Sequence, residues 1–375
     1  MVRHGAFAYT WDLVGDPAGA ERIASLGVDT VTLQAAYHSV RATTAWHPRH
    51  RVVHAEHAAA YFRLRPERWS GRLRPPAPTW AVEDEDRFGT AYNALTAAGL
   101  RTEAWMVLTH SSILGRSAPD LTVRNAYGER FAHALCPAQP DVREYALTLV
   151  REVCDQYDVP ALMLEACGWL GFDHLSAHEK TSGADLSPCA RDLLSICVCS
   201  VCADVLPVDE LSARIRMLLD RELQHGVLAG DNLIDALGPQ LARAVANHRT
   251  AVISGLVDDI AALAGDRDIL LMATDDPQVT GPDVGLDLAA ASPTAYTLKC
   301  WDEPEPAIGR LKAAAARTDV PLVANVNALG ERPGDLPSLV GRLVSAGAEQ
   351  VRYYHAGLAS PARQAAIRAA VQEVK

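Results

Sequence analysis

The sequence lacks several features that would place the chain in a specialised class of protein. Nowhere in its 375 residues is there an apolar run of ~18, the length that a membrane-spanning helix needs. It has no extended basic run, and 35 Lys and Arg against 46 Asp and Glu give a net charge of −11. Nucleic acids and anionic membranes bind proteins through clustered positive charge. We therefore expect neither of them as a partner.

A signal peptide is also not apparent, because the first residues run directly into a strand-like segment. We therefore expect a cytoplasmic protein. Eight cysteines in such a chain are more often metal ligands or buried thiols than disulfides. Hydrophobic residues make up 49% of the chain and charged residues 22%, which is typical of a globular protein and excludes a disordered or fibrous one.

Eight strand-like segments alternate with helical ones. The strands are predicted at 5–11, 29–37, 101–109, 160–166, 268–274, 294–301, 321–328 and 350–355. This alternation is typical of parallel βα units, and eight such units close a barrel. We therefore predict an α/β fold, a (β/α)8 TIM barrel that occupies residues 1–375 as one domain. An open doubly wound sheet is the alternative, but no Gly-rich phosphate turn follows the first strand.

The helices are predicted at 17–26, 83–98, 141–158, 208–225, 232–264 and 361–374. Two long segments interrupt this rhythm. Residues 38–84 follow the second strand, contain five histidines and several aromatic residues, and are expected to form an ordered insertion near a site. Residues 167–207 follow the fourth strand and form a second insertion, which carries a cluster of cysteines.

In a TIM barrel the chemistry takes place where the strands end. The residues there are polar and aromatic, a composition suited to carbohydrates, since aromatic rings stack on sugars and carboxylates act on glycosidic bonds. Glu165 ends an apolar strand, where a carboxylate is costly unless it faces a polar site. We predict Glu165, Asp275 and Asp302 as catalytic residues. The predicted substrate contacts are Trp11, Tyr37, His110, Trp169, Asp173, His174, Trp301 and Asn325.

Cys197, Cys199 and Cys202 lie within six residues, which favours a soft tetrahedral ion such as Zn²⁺. A fourth ligand must come from elsewhere, and Cys136, Cys167, Cys189 and His174 are candidates. Four protein ligands would make this a structural site rather than a catalytic one.

The segment from Arg130 to Cys136, followed by Pro140-Asp141-Val142-Arg143-Glu144, resembles the family-42 glycoside hydrolases, which are β-galactosidases. In that family a cysteine precedes such a helix, an acid/base glutamate ends the next strand, and a C-x-C-x-x-C motif completes a structural zinc site. The resemblance covers roughly residues 127–202. It implies that Cys136 is the fourth zinc ligand and that Glu165 is the acid/base residue.

The family carries its nucleophilic glutamate at the end of the seventh strand, where this sequence reads Ala324-Asn325-Val326-Asn327. Three functions therefore stay open. The first is a glycoside hydrolase-like enzyme that acts on a small-molecule carbohydrate through a carboxylate pair including Glu165. The second is a non-hydrolytic sugar-binding protein. The third is a barrel isomerase or lyase for a sugar or polyol, with a catalytic metal held by histidines and carboxylates. A homo-oligomer is compatible with each of them.

Overall fold

Eight parallel strands close into a barrel in the computed structural model, which describes residues 2–80, 85–174 and 179–374. The strands are β1 Arg3–Ala8, β2 Thr30–Tyr37, β3 Arg101–Val107, β4 Ala161–Glu165, β5 Asp268–Thr274, β6 Ala295–Cys300, β7 Leu322–Asn327 and β8 Gln350–Tyr354. Neighbouring strands pair in this order, and β8 pairs with β1 to complete the ring. The predicted (β/α)8 TIM barrel is confirmed.

Each predicted strand matches a strand of the barrel to within three residues at either end, and β5 has the predicted bounds. The first strand ends early because Thr10–Asp12 forms a 3-10 turn after β1. This agreement arises because the buried strands of a parallel barrel consist of short apolar runs, which stand out in a sequence.

The helices lie mostly outside the barrel, between successive strands. They are α1 Gly19–Ala24, α2 Arg87–Ala97, α3 Ser112–Ser117, α4 Pro140–Gln156, α5 Pro188–Leu194, α6 Ser200–Ala203, α7 Val208–His225, α8 Leu233–Leu237, α9 Pro239–Ala264, α10 Pro304–Ala315, α11 Leu336–Ser345 and α12 Pro361–Glu373. The predicted helix at 232–264 is two helices, because Gly238 between α8 and α9 has a positive φ of 82°.

The floor of the barrel, at the amino ends of the strands, holds a buried ion pair. Arg352 on β8 extends its guanidinium across Gly5 on β1 and donates to Glu103 on β3 at 2.7 Å. A Cβ atom at Gly5 would lie 2.6 Å from Arg352 Cδ, so the glycine makes room for the arginine. Thr32 donates a further hydrogen bond to Glu103 at 2.8 Å.

The insertion after β2 contains an antiparallel hairpin, Val40–Thr43 with Val52–Ala55, and a short strand, Ala59–Ala60, that pairs with β2. The 3-10 turn that follows, Pro66–Arg68, is linked to α4 through the buried carboxylate of Glu152. This carboxylate accepts hydrogen bonds from the backbone and side chain of Arg65 and from the indole of Trp69. The predicted ordered insertion therefore has a defined attachment to the barrel.

Three further segments add short strands. Thr122–Arg124 pairs with Arg130–Leu135 in a hairpin between β3 and α4, and Val284–Gly285 pairs in parallel with the end of β5. These strands bring loop residues close to the mouth, at the carboxyl ends of the barrel strands. In the three ranges that the structure describes, no helix has both the length and the apolar character needed to cross a membrane.

Candidate functional site

Glu165 is the last residue of β4, and its buried side chain lies at the carboxyl end of the barrel, against Trp105 of β3. Its residue is 6% exposed, and Oε2 accepts a hydrogen bond of 2.7 Å from the indole of Trp105 on the neighbouring β3. Burial raises the pKa of Glu165 to about 8, and the negative charge of Asp283 adds to this rise. The side chain is therefore mostly protonated at neutral pH and is able to donate a proton.

Asp283 is the carboxylate that accompanies Glu165. It follows Pro282, whose carbonyl oxygen accepts a hydrogen bond of 2.8 Å from the backbone of Ala166, and it precedes the short strand that pairs with β5. Oδ1 is buried, and no described residue forms a hydrogen bond with it. Burial raises the pKa of Asp283 to about 6, while the positive charges of Lys299 and Arg310 limit the rise.

The environments of these two carboxyl groups give them different protonation states at neutral pH. At pH 7 a group with a pKa of about 6 is mainly ionised, and a group with a pKa of about 8 is mainly protonated. Pairs of this kind divide acid and base roles between two chemically similar side chains.

Three tyrosines lie together at the mouth, and two of them, Tyr37 and Tyr354, interact electrostatically with Glu165. The hydroxyl group of Tyr9 lies 3.2 Å from that of Tyr37 and 3.1 Å from that of Tyr354. Burial raises the pKa of Tyr37 and of Tyr354, and the nearby Glu165 adds to both shifts. The hydroxyl groups therefore stay protonated and offer hydrogen-bond donors next to the carboxylate.

Trp301 and Asn325 extend the site toward β6 and β7. The Trp301 ring lies 4.7 Å from that of Tyr354, and its indole donates to Asn325 Oδ1 at 3.3 Å. The amide nitrogen of Asn325 is buried and has no hydrogen-bond partner among the described residues. These groups offer a half-exposed aromatic face and a free amide donor.

Four histidines line the side of the mouth formed by β2, β3 and the loop after β4. His174 Nε2 lies 3.3 Å from His110 Nδ1, and the rings of His38 and His133 are 4.7 and 6.3 Å from the ring of His110. Burial lowers the pKa of His110 to about 2 and that of His174 to about 4. At neutral pH the imidazoles are therefore uncharged.

Two predicted substrate contacts lie in the core instead of at the mouth. Trp11 is fully buried, and its ring packs 4.3 Å from Tyr9. Trp169 is 3% exposed and packs against His248 on α9 at 5.5 Å. The substrate contacts of Trp11 and Trp169 therefore stay predictions, and both side chains are buried among other aromatic rings.

Three predicted carboxylates are in ion pairs at the rim. Asp275 pairs with Arg317 at 2.8 Å, Asp302 pairs with Arg310 at 2.5 Å, and Asp173 pairs with Arg191 at 2.8 Å. The carboxylate whose charge acts on Glu165 is Asp283, which the sequence analysis did not single out. The catalytic roles of Asp275 and Asp302 therefore stay predictions without a contact to Glu165 in the described residues.

The four predicted cysteine ligands come together. The Sγ atom of Cys136 lies 3.8 Å from those of Cys197, Cys199 and Cys202, all four residues are buried, and their sulfur atoms lie within 4.8 Å of one another. The backbone N–H of Arg124 and the amide of Gln139 approach the sulfurs of Cys197 and Cys199 at 3.5 Å. Four thiols in this arrangement could hold a metal ion.

Among the described residues, these cysteines form the one group of potential ligands close enough together for a metal. The four histidines at the mouth do not form such a group. His178, which the sequence places four residues after His174, lies outside the described residues.

Two charged residues of the mouth, Lys299 and Asp283, were not predicted from the sequence. Lys299 interrupts the apolar strand β6, so the argument that identified Glu165 in β4 also applied to it. Asp283 lies nine residues beyond β5, in a loop without periodic pattern, and nothing in the sequence marks it. Nothing in the sequence marked Tyr9 or His133, which lies in the hairpin between β3 and α4, as residues of the site.

No protein-family profile and no curated protein matches the chain. Solved structures share its fold. The PgaB (BpsB) glycoside hydrolase domain from Bordetella bronchiseptica is 15% identical with a TM-score of 0.57, and the match covers 99% of each chain. The catalytic domain of beta-amylase from Paenibacillus polymyxa is 11% identical with a TM-score of 0.58, over 99% of this chain and 97% of that one.

Alpha-L-fucosidase isoenzyme 2 from Paenibacillus thiaminolyticus is 12% identical with a TM-score of 0.54. The match covers all of this chain, which spans about half, 49%, of the fucosidase chain. At these identities the likeness establishes the fold alone. The chain has a glycoside hydrolase-like TIM barrel.

Proposed function

We propose that the chain is a glycoside hydrolase-like enzyme that acts on a carbohydrate through Glu165 and Asp283. The observation that carries this proposal is a pair of buried carboxyl groups at the mouth, whose chain neighbours Ala166 and Pro282 share a backbone hydrogen bond and whose pKa values are about 8 and about 6. Hydrolysis of a glycosidic bond needs one protonated and one ionised carboxyl group on either side of the bond.

In this mechanism Glu165 donates its proton to the leaving oxygen. Ionised Asp283 either attacks the anomeric carbon or activates a water molecule, and the anomeric configuration of the first product distinguishes the two. The hydroxyl groups of Tyr37 and Tyr354 and the amide of Asn325 orient the sugar hydroxyls. The ring of Trp301 provides a face on which a sugar ring stacks.

The resemblance to family-42 glycoside hydrolases supports the role of Glu165, because that family places its acid/base glutamate at the end of the fourth strand. The second carboxylate differs. In this proposal Asp283 acts from the loop after β5, since β7 ends with Asn325 and Asn327 where the family has its nucleophile.

We also propose that the four cysteines hold a structural Zn²⁺. In a tetrahedral site with Zn–S bonds of about 2.3 Å, the sulfur atoms lie about 3.8 Å apart. Cys136 has this separation from all three other sulfurs. With four protein ligands no position stays open for a substrate, so the ion stabilises the loops after β3 and β4.

A sugar-binding protein without hydrolytic activity is the second candidate. The resemblance to family 42 implies two catalytic carboxylates, one at the end of β4 and one at the end of β7. Only the first is present here, since β7 ends with Asn325-Val326-Asn327, and this favours a sugar-binding protein.

The test is hydrolysis of a panel of aryl α- and β-glycosides by the wild type and by Glu165→Gln, Asp283→Asn, Asp275→Asn and Asp302→Asn. We expect losses of about 10³-fold or more for the first two variants, since each removes a group that acts in the transition state. Glu305→Gln, a surface variant, serves as the control and keeps full activity. Full activity of Asp283→Asn would contradict its role, and sugar binding without turnover by the wild type would favour the second candidate.

A further inference from the structure

Lys299 is a charged residue inside the barrel mouth. It lies on β6, in register with Asn325 on β7. Thr297, two residues earlier, donates to the sulfur of Met163 inside the barrel, and side chains two residues apart on a strand point to the same face. Lys299 therefore points inward at the open end of the barrel, and it is exposed.

The ammonium group of Lys299 is held over an aromatic ring. Nζ lies 4.7 Å from the ring centre of Trp301, which is within the range of a cation–π interaction. Trp301 is itself fixed by its hydrogen bond to Asn325. The ammonium group is thus positioned beside the aromatic face that a sugar ring would contact.

No described carboxylate forms an ion pair with Lys299, whereas the arginines of the same rim are paired. Arg310, Arg317 and Arg191 each contact an aspartate at 2.5–2.8 Å. The charge of Lys299 acts on Glu165, Asp283 and His174, so the lysine lies within electrostatic reach of the catalytic pair. Packing does not require a positive charge there, because the side chain is exposed.

We propose that the substrate is an anionic sugar whose carboxylate or sulfate group is bound by Lys299. This inference rests on the proposed function and names the substrate class of the same site. An ammonium group offers three donors, and its hydrogen bonds to an anion are about twice as strong as those between neutral groups. The uncharged His174, which lies within electrostatic reach of Lys299, supplies a further N–H donor, and Trp301 holds the ring of the same sugar.

The experiment compares aryl α- and β-glycosides of glucose and galactose with the corresponding uronides and 6-sulfates. The wild type, Lys299→Met and Lys299→Arg are assayed with both sets, and Lys312→Met on the outer helix α10 is the matched control. We expect kcat/KM of the wild type to be at least ~10-fold higher for one anionic class, and Lys299→Met to abolish this preference. Lys299→Arg should retain most of it, and Lys312→Met all of it.

A purely electrostatic effect of Lys299 on Asp283 would change the pH profile and lower kcat/KM equally for neutral and anionic substrates. That result, or a wild-type preference for neutral glycosides, would overturn the inference while leaving the proposed hydrolysis intact. Preference for uronides over 6-sulfates, or the reverse, identifies the anion.

A binding measurement keeps the two proposals distinguishable if no glycoside is cleaved. Titration calorimetry of the wild type with methyl glucuronoside, glucose 6-sulfate and methyl glucoside then reports recognition alone. Binding of an anionic sugar that is lost in Lys299→Met would support the inference although hydrolysis fails. Absence of any such binding would overturn both proposals.

Discussion

The indole N–H of Trp105 donates a hydrogen bond of 2.7 Å to Glu165 Oε2, from one barrel strand to the next. A hydrogen bond to a carboxylate favours its ionised form, so Trp105 opposes the effect of burial on Glu165. The indole also fixes the orientation of the carboxyl group. Two neighbouring strands therefore set both the position and the proton affinity of the proposed acid.

Replacing Trp105 by Phe should raise the pKa of Glu165 further above about 8, because it removes the donor to the ionised form. In the pH profile of kcat/KM, the alkaline limb reports loss of the Glu165 proton. We expect this limb to move to higher pH by about one unit. Trp46→Phe is the control, since its indole donates to the carbonyl of Ala359 instead. An unchanged alkaline limb in Trp105→Phe would show that another group sets it.

Glu165 should also make the folded state less stable at alkaline pH. Its folded pKa of about 8 exceeds the value in an unfolded chain, so its contribution is fully present below pH ~4.5 and is lost as pH rises through about 8. Glu165→Gln removes this dependence, with an upper bound of about 5 kcal/mol. Urea denaturation measures the free energy of unfolding of both proteins at pH 5 and at pH 9. From pH 5 to pH 9, the variant should become more stable relative to the wild type. A constant difference between the two pH values would disprove the expected burial effect.

Cys199→Ser should lower the metal content of the purified protein and its thermal stability together. The variant removes one of four thiolates, and the remaining ligands lose most of their affinity for the ion. Elemental analysis should give one zinc per wild-type chain and clearly less in the variant. Cys154→Ser, on helix α4 and outside the cluster, should match the wild type. Equal metal content in all three proteins would exclude the cysteine site.

The ion pair on the barrel floor should be costly to break from one side. Arg352→Met leaves Glu103 buried without its partner, and we expect a loss of about 3–5 kcal/mol in the free energy of unfolding. The double variant Glu103→Leu with Arg352→Met should recover much of this loss, because no unpaired charge remains. Chemical denaturation of the three variants measures the difference. Equal losses in the single and double variants would contradict the expected desolvation cost.

The barrel was predictable because each strand is a short apolar run, and helical patterns separate the first five of these runs. The helix α7 has the predicted bounds, since its amphipathic pattern ends at Gly226, a residue with a positive φ of 66°. The hairpin Thr122–Arg124 with Arg130–Leu135 was not predicted, because short antiparallel strands within connections carry little periodic signal.

The site was predictable where the local sequence is unusual. Glu165 is a charged residue at the end of an apolar strand, and three of the eight cysteines lie within six residues. Asp283 is an ordinary loop residue in the sequence, and the pairing of Val284–Gly285 with β5 and the hydrogen bond from Ala166 to Pro282 bring it within electrostatic reach of Glu165. The burial of Trp11 was not predictable, since the side of the backbone on which its side chain lies depends on a turn, Thr10–Asp12, that the sequence did not reveal.

The Glu103–Arg352 pair also has a kinetic consequence. Because these side chains fill the amino end of the barrel, the axis is not a tunnel, and a ligand enters and leaves through the same opening. In the proposed reaction, the cleaved product must therefore leave by this opening before the next molecule binds. Turnover on long polymers would then proceed by repeated release and rebinding, with the released sugar acting as a competitor for the entrance.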